Sequence, residues 1–381
     1  MADIRLPIPI VDADRLEVDR QMQICNACRY CEGLCAVFPA LERHRKLAVA
    51  DIDHLANLCH RCGACHYDCQ YAPPHPFAVG IPGALARVRD RSYARYAWPS
   101  LADTVFERQA VWLTGWVVAS VAAILIAFAL LAGDDSLFAV VSGPGAFYRL
   151  MPHSVMATLF GAAFAFALLA TTIGLVRYWR ATRPPRTRVR HWLDGLRAAL
   201  VLHNLRGGGM GCATFEDERH DRRRLFHHLT AGGFLLCFLA TCAATFMHYG
   251  LGMPAPYGWT SVPVVLGSIG GLGIVVGPLG LLRVRARGDA RLAHDDRLGA
   301  AFLWTLLAIG GTGLALLILR ETVLMQPLLA VHLGLVFAWF LLLPYGKFVH
   351  GPYRLLALVR EAAERDAERD AERDAERDGA P

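Results

Sequence analysis

Residues 25–35 read CNACRYCEGLC and residues 59–69 read CHRCGACHYDC, two copies of the spacing C-x2-C-x2-C-x3-C. Three thiolates at this spacing let one tight loop wrap three irons of a cubane, while the fourth cysteine, a turn further on, reaches the neighbouring cluster. The runs therefore predict a ferredoxin-like domain with two 4Fe-4S clusters, ligated by Cys25, Cys28, Cys31, Cys35, Cys59, Cys62, Cys65 and Cys69. On that logic Cys25, Cys28 and Cys31 share a cluster with Cys69, and Cys59, Cys62 and Cys65 share one with Cys35. The bacterial ferredoxin run continues as Cys-Pro, whereas here Ala36 follows Cys35 and Gln70 follows Cys69, so the cross-pairing stays open. Zinc prefers two C-x2-C halves a dozen or more residues apart, not four cysteines packed this closely. His60 and His66 within the second run, and His44, His54 and His75 around it, read as hydrogen-bonding or exposed residues, because the cysteines already satisfy two cubanes.

Composition places these runs on a membrane protein. Of 381 residues, 55% are hydrophobic and only 19% charged, above the soluble norm. The net charge of +6 is not a nucleic-acid signature, since the arginines cluster between long apolar stretches and no nucleic-acid motif accompanies them. Eleven cysteines would suit a disulfide framework only in an oxidising compartment, and the start MADIRLPIPIVDADRLE lacks the apolar core of an export signal. The expectation is a bacterial-type cytoplasm that keeps the thiols reduced.

Three zones follow: a cluster domain over 1–109, a six-span membrane domain over 110–350 and a charged tail over 351–381. The apolar stretches run near 110–132, 154–176, 225–249, 262–282, 301–319 and 328–348, each about the ~20 residues a spanning helix needs. The fold class expected is thus mainly α, a two-cluster domain followed by a six-helix transmembrane bundle. Twelve arginines lie between Arg177 and Arg224 and five between Arg283 and Arg297, against Arg149 and Arg320 alone in the other connecting loops. The arginine-rich side is expected to face the cytoplasm, giving a multi-pass protein of the bacterial inner membrane with both termini cytoplasmic. The tail, ending in AERD repeats, reads as a solvated helical extension.

Histidines inside apolar spans are expensive enough to count as functional candidates. The third span carries His227 and His228 at its cytoplasmic edge and His248 near its outer edge; the sixth carries His332 at the outer side and His350 at the cytoplasmic side. On one continuous helix His332 and His350 would share a face about 27 Å apart. Because the two spans run in opposite directions, His227 or His228 is expected opposite His350, and His248 opposite His332. Two bis-histidine haem b sites follow, with helical phase favouring His227 over His228. His153, His191, His203, His220 and His294 lack such partners. Cys237 and Cys242 read as small apolar residues, and Cys212, in the glycine-rich segment RGGGMGC, as a residue without an assigned role.

The phrases CHRCGACHYDCQYAPPH and FHHLTAGGFLLCFLATCAATFMHY, with the paired cysteine runs and six spans, resemble the tricarballylate utilization protein B family, also called citrate utilization protein B. The likeness covers nearly all of the chain except the tail. It implies a membrane partner of an FAD-dependent tricarballylate dehydrogenase, one that reoxidises the reduced flavin and passes electrons to a membrane quinone. The membrane half is also similar, more distantly, to the haem b subunit of respiratory nitrate reductase. Two other readings stay open: a quinol-oxidising subunit feeding a cytoplasmic reductase, and a haem-free membrane anchor for a ferredoxin domain. The chain itself offers no nucleotide fingerprint such as G-x-G-x-x-G after a strand.

Overall fold

A computed structural model describes residues 12–44, 46–99, 109–132, 138–149, 151–205, 217–286 and 297–378; Cys212 and His294 lie outside them. Every regular element among the described residues is helical. The first five helices, α1 (Ala13–Cys28), α2 (Val37–Glu42), α3 (Val49–Leu58), α4 (Ala64–Tyr67) and α5 (Ile81–Tyr96), build the cysteine domain. Val18 and Met22 of α1, Leu41 of α2, Leu55 and Leu58 of α3 and Leu85 of α5 close its core, all at 2% exposure or less.

Six helices are long and apolar enough to cross a membrane: α6 (Gln109–Ala132), α7 (His153–Thr182), α9 (Asp217–Leu251), α10 (Val262–Ala286), α11 (Arg297–Leu319) and α12 (Met325–Leu342). The expected spans are therefore all present, on a membrane protein. Close approach of backbones, the usual device where lipid removes the hydrophobic drive between helices, joins α9 to α10. A Cβ on Gly233 would sit 2.7 Å from the Gly270 carbonyl oxygen, and one on Gly277 2.7 Å from the Thr230 amide nitrogen. Between α7 and α9 lies α8 (Val189–Val201), which exposes Val189, Leu193 and Leu200 while burying His191 and Gly195. That two-faced helix was not expected in the arginine-rich connection, and its exposed apolar side suits a membrane interface.

Two expectations are corrected at the C-terminal end. The sixth span does not run on to residue 348: α12 stops at Leu342, and two short 3-10 turns over 343–345 and 347–349 intervene before the last helix, α13 (His350–Asp378). Pro344 lacks the N–H that would continue the helix, and Gly346 takes an extended conformation. His332 and His350 thus stand on different helices and share no face. The tail is continuously exposed only from Ala367 onward. Upstream, Ala357 and Leu358 of α13 enter the core of the cysteine domain, Arg360 pairs with Asp51 at 2.8 Å, and Glu361 receives Arg43 at 3.2 Å.

The cysteine domain is seated firmly on the bundle. Tyr93 and Tyr96 of α5, Tyr178 of α7 and Tyr353 of α13 form one buried aromatic cluster. Tyr345 donates its hydroxyl to the Trp98 carbonyl at 2.9 Å, Arg177 donates to the Ala97 carbonyl at 2.8 Å, and Lys347 meets Asp90 at 3.3 Å.

Candidate functional site

The first cysteine run begins on the last turn of α1, which ends because Arg29 turns left-handed (φ 55°) and donates its N–H to the Cys25 carbonyl. The chain then curls through Cys31 to Cys35 ahead of α2. The second run starts where α3 stops. Gly63 at φ 92°, a conformation that suits a residue without Cβ, turns the backbone so that Cys62 and Cys65 lie on either side of the α4 N-terminus. Cys35, Cys59, Cys62 and Cys65 line one cavity of about 390 Å³, bringing the fourth cysteine of the first run to the first three of the second. In the same way the thiol of Cys25 feels Cys28, Cys31 and Cys69 as its charged neighbours. Cys35 thus lies with the first three cysteines of the second run, although no Cys-Pro follows it.

These thiols are poor places for bare charge. Burial, reinforced by Cys31, Cys69 and Cys28, pushes Cys25 up to about 12. Burial likewise raises Cys35 and Cys65, each with neighbouring cysteines adding to the effect. Four thiolates can share so small a volume only if a cationic group sits among them. Backbone N–H groups of Val37 and Ala64 point at Cys35 and Cys62, stabilising negative sulfur. Among the described residues no three His, Cys, Asp or Glu side chains converge as a single ion requires. The donors around this cavity are all thiols, a set that suits an iron–sulfur cluster.

A second site lies at the end of the bundle nearest the cysteine domain. His227 of α9 and His350 at the start of α13 face each other with ring centroids 6.1 Å apart and planes at 87°. They line a cavity of about 620 Å³ whose other walls carry Arg89, Arg223, Lys347 and Arg354. His350 Nδ1 donates to the Lys347 carbonyl, which fixes the tautomer and leaves Nε2 with its lone pair. Burial and then the positive Arg354 lower the His350 pKa well below the usual imidazole value, so it stays neutral, the form that binds metals. His228 is differently employed: its two nitrogens meet the Arg224 and Leu200 carbonyls, both at 2.8 Å.

The two sites adjoin. His60 and Arg61, within the second cysteine run, line the cysteine cavity and the histidine cavity alike. His60 is 7% exposed, Nδ1 bonds the Leu58 carbonyl at 2.9 Å, and Nε2 has no partner. Arginines from the bundle side hold this loop in place: Arg354 donates to the Cys59 carbonyl at 2.7 Å and Arg223 to the Arg61 carbonyl at 2.9 Å. By its place in the sequence His60 read only as a hydrogen-bonding or exposed residue. Its position directly after Cys59 was visible, but the second cavity depends on α9 and α13 folding back over it.

The expected outer pair does not form. His248 stacks on His153 of α7 with ring centroids 3.6 Å apart, flanked by Tyr148 and Tyr249, while His332 shares a hydrogen bond with Thr312 of α11 at 3.0 Å. His153, set aside in the sequence for want of a partner, is the one His248 meets. His153 begins its span and His248 nearly ends its own, which was the available signal. His44 and His54 lie 3.9 and 4.0 Å from Glu364, where α13 docks. Cys237 packs against Gly270, and Cys242 is exposed on the bundle surface.

Two ferredoxin-type cysteine runs seated on six apolar helices fit the class of membrane-bound iron–sulfur electron-transfer proteins. Comparison with known families bears on both halves: residues 18–95 match the citrate utilization protein B Fer4-like domain, and residues 107–371 match citrate utilization protein B. The chain belongs to the citrate utilization protein B family. It is similar to the protein of that name from Escherichia coli, 45% identical over 363 residues that cover 93% of this chain and 94% of the relative. No solved structure matches.

Proposed function

We propose that this protein reoxidises the reduced FAD of a partner tricarballylate dehydrogenase and delivers the electrons to the quinone pool of the bacterial inner membrane, with its cysteine domain in the cytoplasm. Cys25, Cys28, Cys31 and Cys69 would hold one 4Fe-4S cluster, and Cys35, Cys59, Cys62 and Cys65 the other. His227 and His350 would hold one haem b. Their rings lie 6.1 Å apart, centroid to centroid, across the cavity they line, and a haem bound there would supply a one-electron centre. The cationic walls suit the two carboxylates of a haem. His248 and His332 show no such convergence, so the proposal holds one haem rather than two.

Clusters and haem, when bound, supply one-electron centres that divide the electron pair of a reduced flavin. The polypeptide sets their order. Around the first run, Arg29, Tyr30, Glu32 and Gly33 are exposed, which leaves that end open to a soluble partner. The second run begins at the buried Cys59 and His60, and its His60 and Arg61 line the histidine cavity. That shared wall carries the reading, because it joins a ferredoxin-type site to a membrane site without an intervening layer of protein. The test is reconstitution: the full chain in nanodiscs, the FAD-dependent dehydrogenase with tricarballylate, and decylubiquinone under nitrogen. Quinol should form only when all are present. Flavin that stays reduced despite cluster-loaded protein and quinone would rule the proposal out.

A further inference from the structure

A third cavity lies between α6, α11 and α12, at the bundle end that carries the cysteine domain. It encloses about 450 Å³ of space, part of it open to the surroundings. Its walls are mostly apolar, with Trp112, Phe302, Trp339 and Leu342 around it, and Thr305, Tyr345 and Lys347 also line it. Trp112 is 44% exposed on the bundle surface, so the cavity reaches the lipid side, whereas Trp339 is 6% exposed and belongs to the interior. Lys347 lines this cavity and the histidine cavity. Phe348, two residues before His350, packs on Trp339 with ring centroids 5.5 Å apart.

From this arrangement we infer that an isoprenoid quinone binds here, its ring among Trp112, Phe302 and Trp339 and a ring oxygen toward Lys347, and is reduced in place. The inference rests on the proposed delivery of electrons to quinone and supplies the site for it. A quinone ring is flat and apolar with two acceptor oxygens, which calls for aromatic walls and a donor at one end, and its tail requires an opening to lipid. An ammonium has N–H donors only and favours negative charge arriving on the quinone oxygen. The balance is that of quinone reduction: two electrons come singly from the His227/His350 side, the reduced flavin of the partner being their source, and two protons complete the quinol. Lys347 stands 3.3 Å from Asp90, whose side chain is 23% exposed, so water on the cysteine-domain side reaches this end of the cavity to supply the protons.

The test uses the full chain in nanodiscs, reduced by one equivalent of dithionite, with decylubiquinone added under nitrogen and the iron–sulfur absorbance followed by stopped flow. Leu342→Trp and Thr305→Leu fill the cavity, and each should slow reoxidation by about tenfold or more while ferricyanide still oxidises the clusters at the wild-type rate. Lys347→Met should slow the same step without altering cluster content. In a second measurement, an azido-quinone photolabel should attach to peptides from 302–305 or 339–348, and excess decylubiquinone should suppress it. Wild-type rates in both cavity-filling variants, or labelling confined to other helices, would overturn the site while leaving quinone reduction standing. A wild-type protein that decylubiquinone does not reoxidise would overturn the delivery to quinone and this site with it.

Discussion

Alanine at Gly277 probes the seam that positions the membrane histidine. Its Cβ would fall 2.7 Å from the Thr230 amide nitrogen and 2.9 Å from the Phe226 carbonyl oxygen, and would also strike the Thr230 hydroxyl. Two of those atoms are backbone, so no rotamer change relieves the clash and α9 must move away from α10 by roughly half an ångström or more. Overpacking of this kind costs about 1–3 kcal/mol. His227 follows Phe226 directly, so the same displacement moves it relative to His350. Gly277→Ala should therefore lower the midpoint of SDS-induced unfolding in mixed micelles and reduce haem content together. Gly232→Ala is the matched control: its Cβ would have no neighbour within 4 Å, and the gain in helix propensity, up to about 1 kcal/mol, makes it neutral or slightly stabilising. Equal midpoints and equal haem content for Gly277→Ala and wild type would refute the close-packed seam.

Several other substitutions separate the roles assigned above. His227→Ala and His350→Ala should each abolish the haem α band, whereas His228→Ala should keep it and lose the bonds to the Arg224 and Leu200 carbonyls, about 1 kcal/mol each by chemical denaturation. Cys69→Ala should alter the EPR signal that Cys25→Ala alters, and Cys35→Ala the one that Cys59→Ala alters; pairing within each run would give the opposite grouping. Leu358→Ala, which empties a core position of the cysteine domain, should cost about 2–5 kcal/mol and lower iron content on purification. Deleting residues 367–381 should leave iron content unchanged, since the described part of that segment is exposed.

Much of the architecture was legible because two strong local signals carried it. Cysteine spacing specifies a loop almost by itself, and long apolar stretches bounded by arginines specify spans. What escaped were features set by distant partners. Burial of α13 depends on Arg43 and Asp51, some three hundred residues away in sequence, and the charged repeat that follows masked the apolar positions Tyr353, Ala357 and Leu358. The stop at Leu342 was marked by Pro344 and Gly346 in LLLPYGKF, a breaker signal outweighed by overall hydropathy. The His153–His248 stack arises because antiparallel spans bring their outer ends together, which spacing within one helix cannot reveal.

The central claim is that a two-cluster cysteine domain adjoins a histidine-ligated haem across the wall formed by His60 and Arg61. It is tested most directly by cofactor content and optical spectroscopy of the full chain, purified anaerobically beside its His350→Ala variant. The account predicts about eight iron and eight acid-labile sulfide per chain in cluster form, with a reduced b-type α band in the wild type. The variant should lose that band and keep its cluster iron and sulfide. A wild-type protein with no haem, or a variant that retains the full band, would contradict the account.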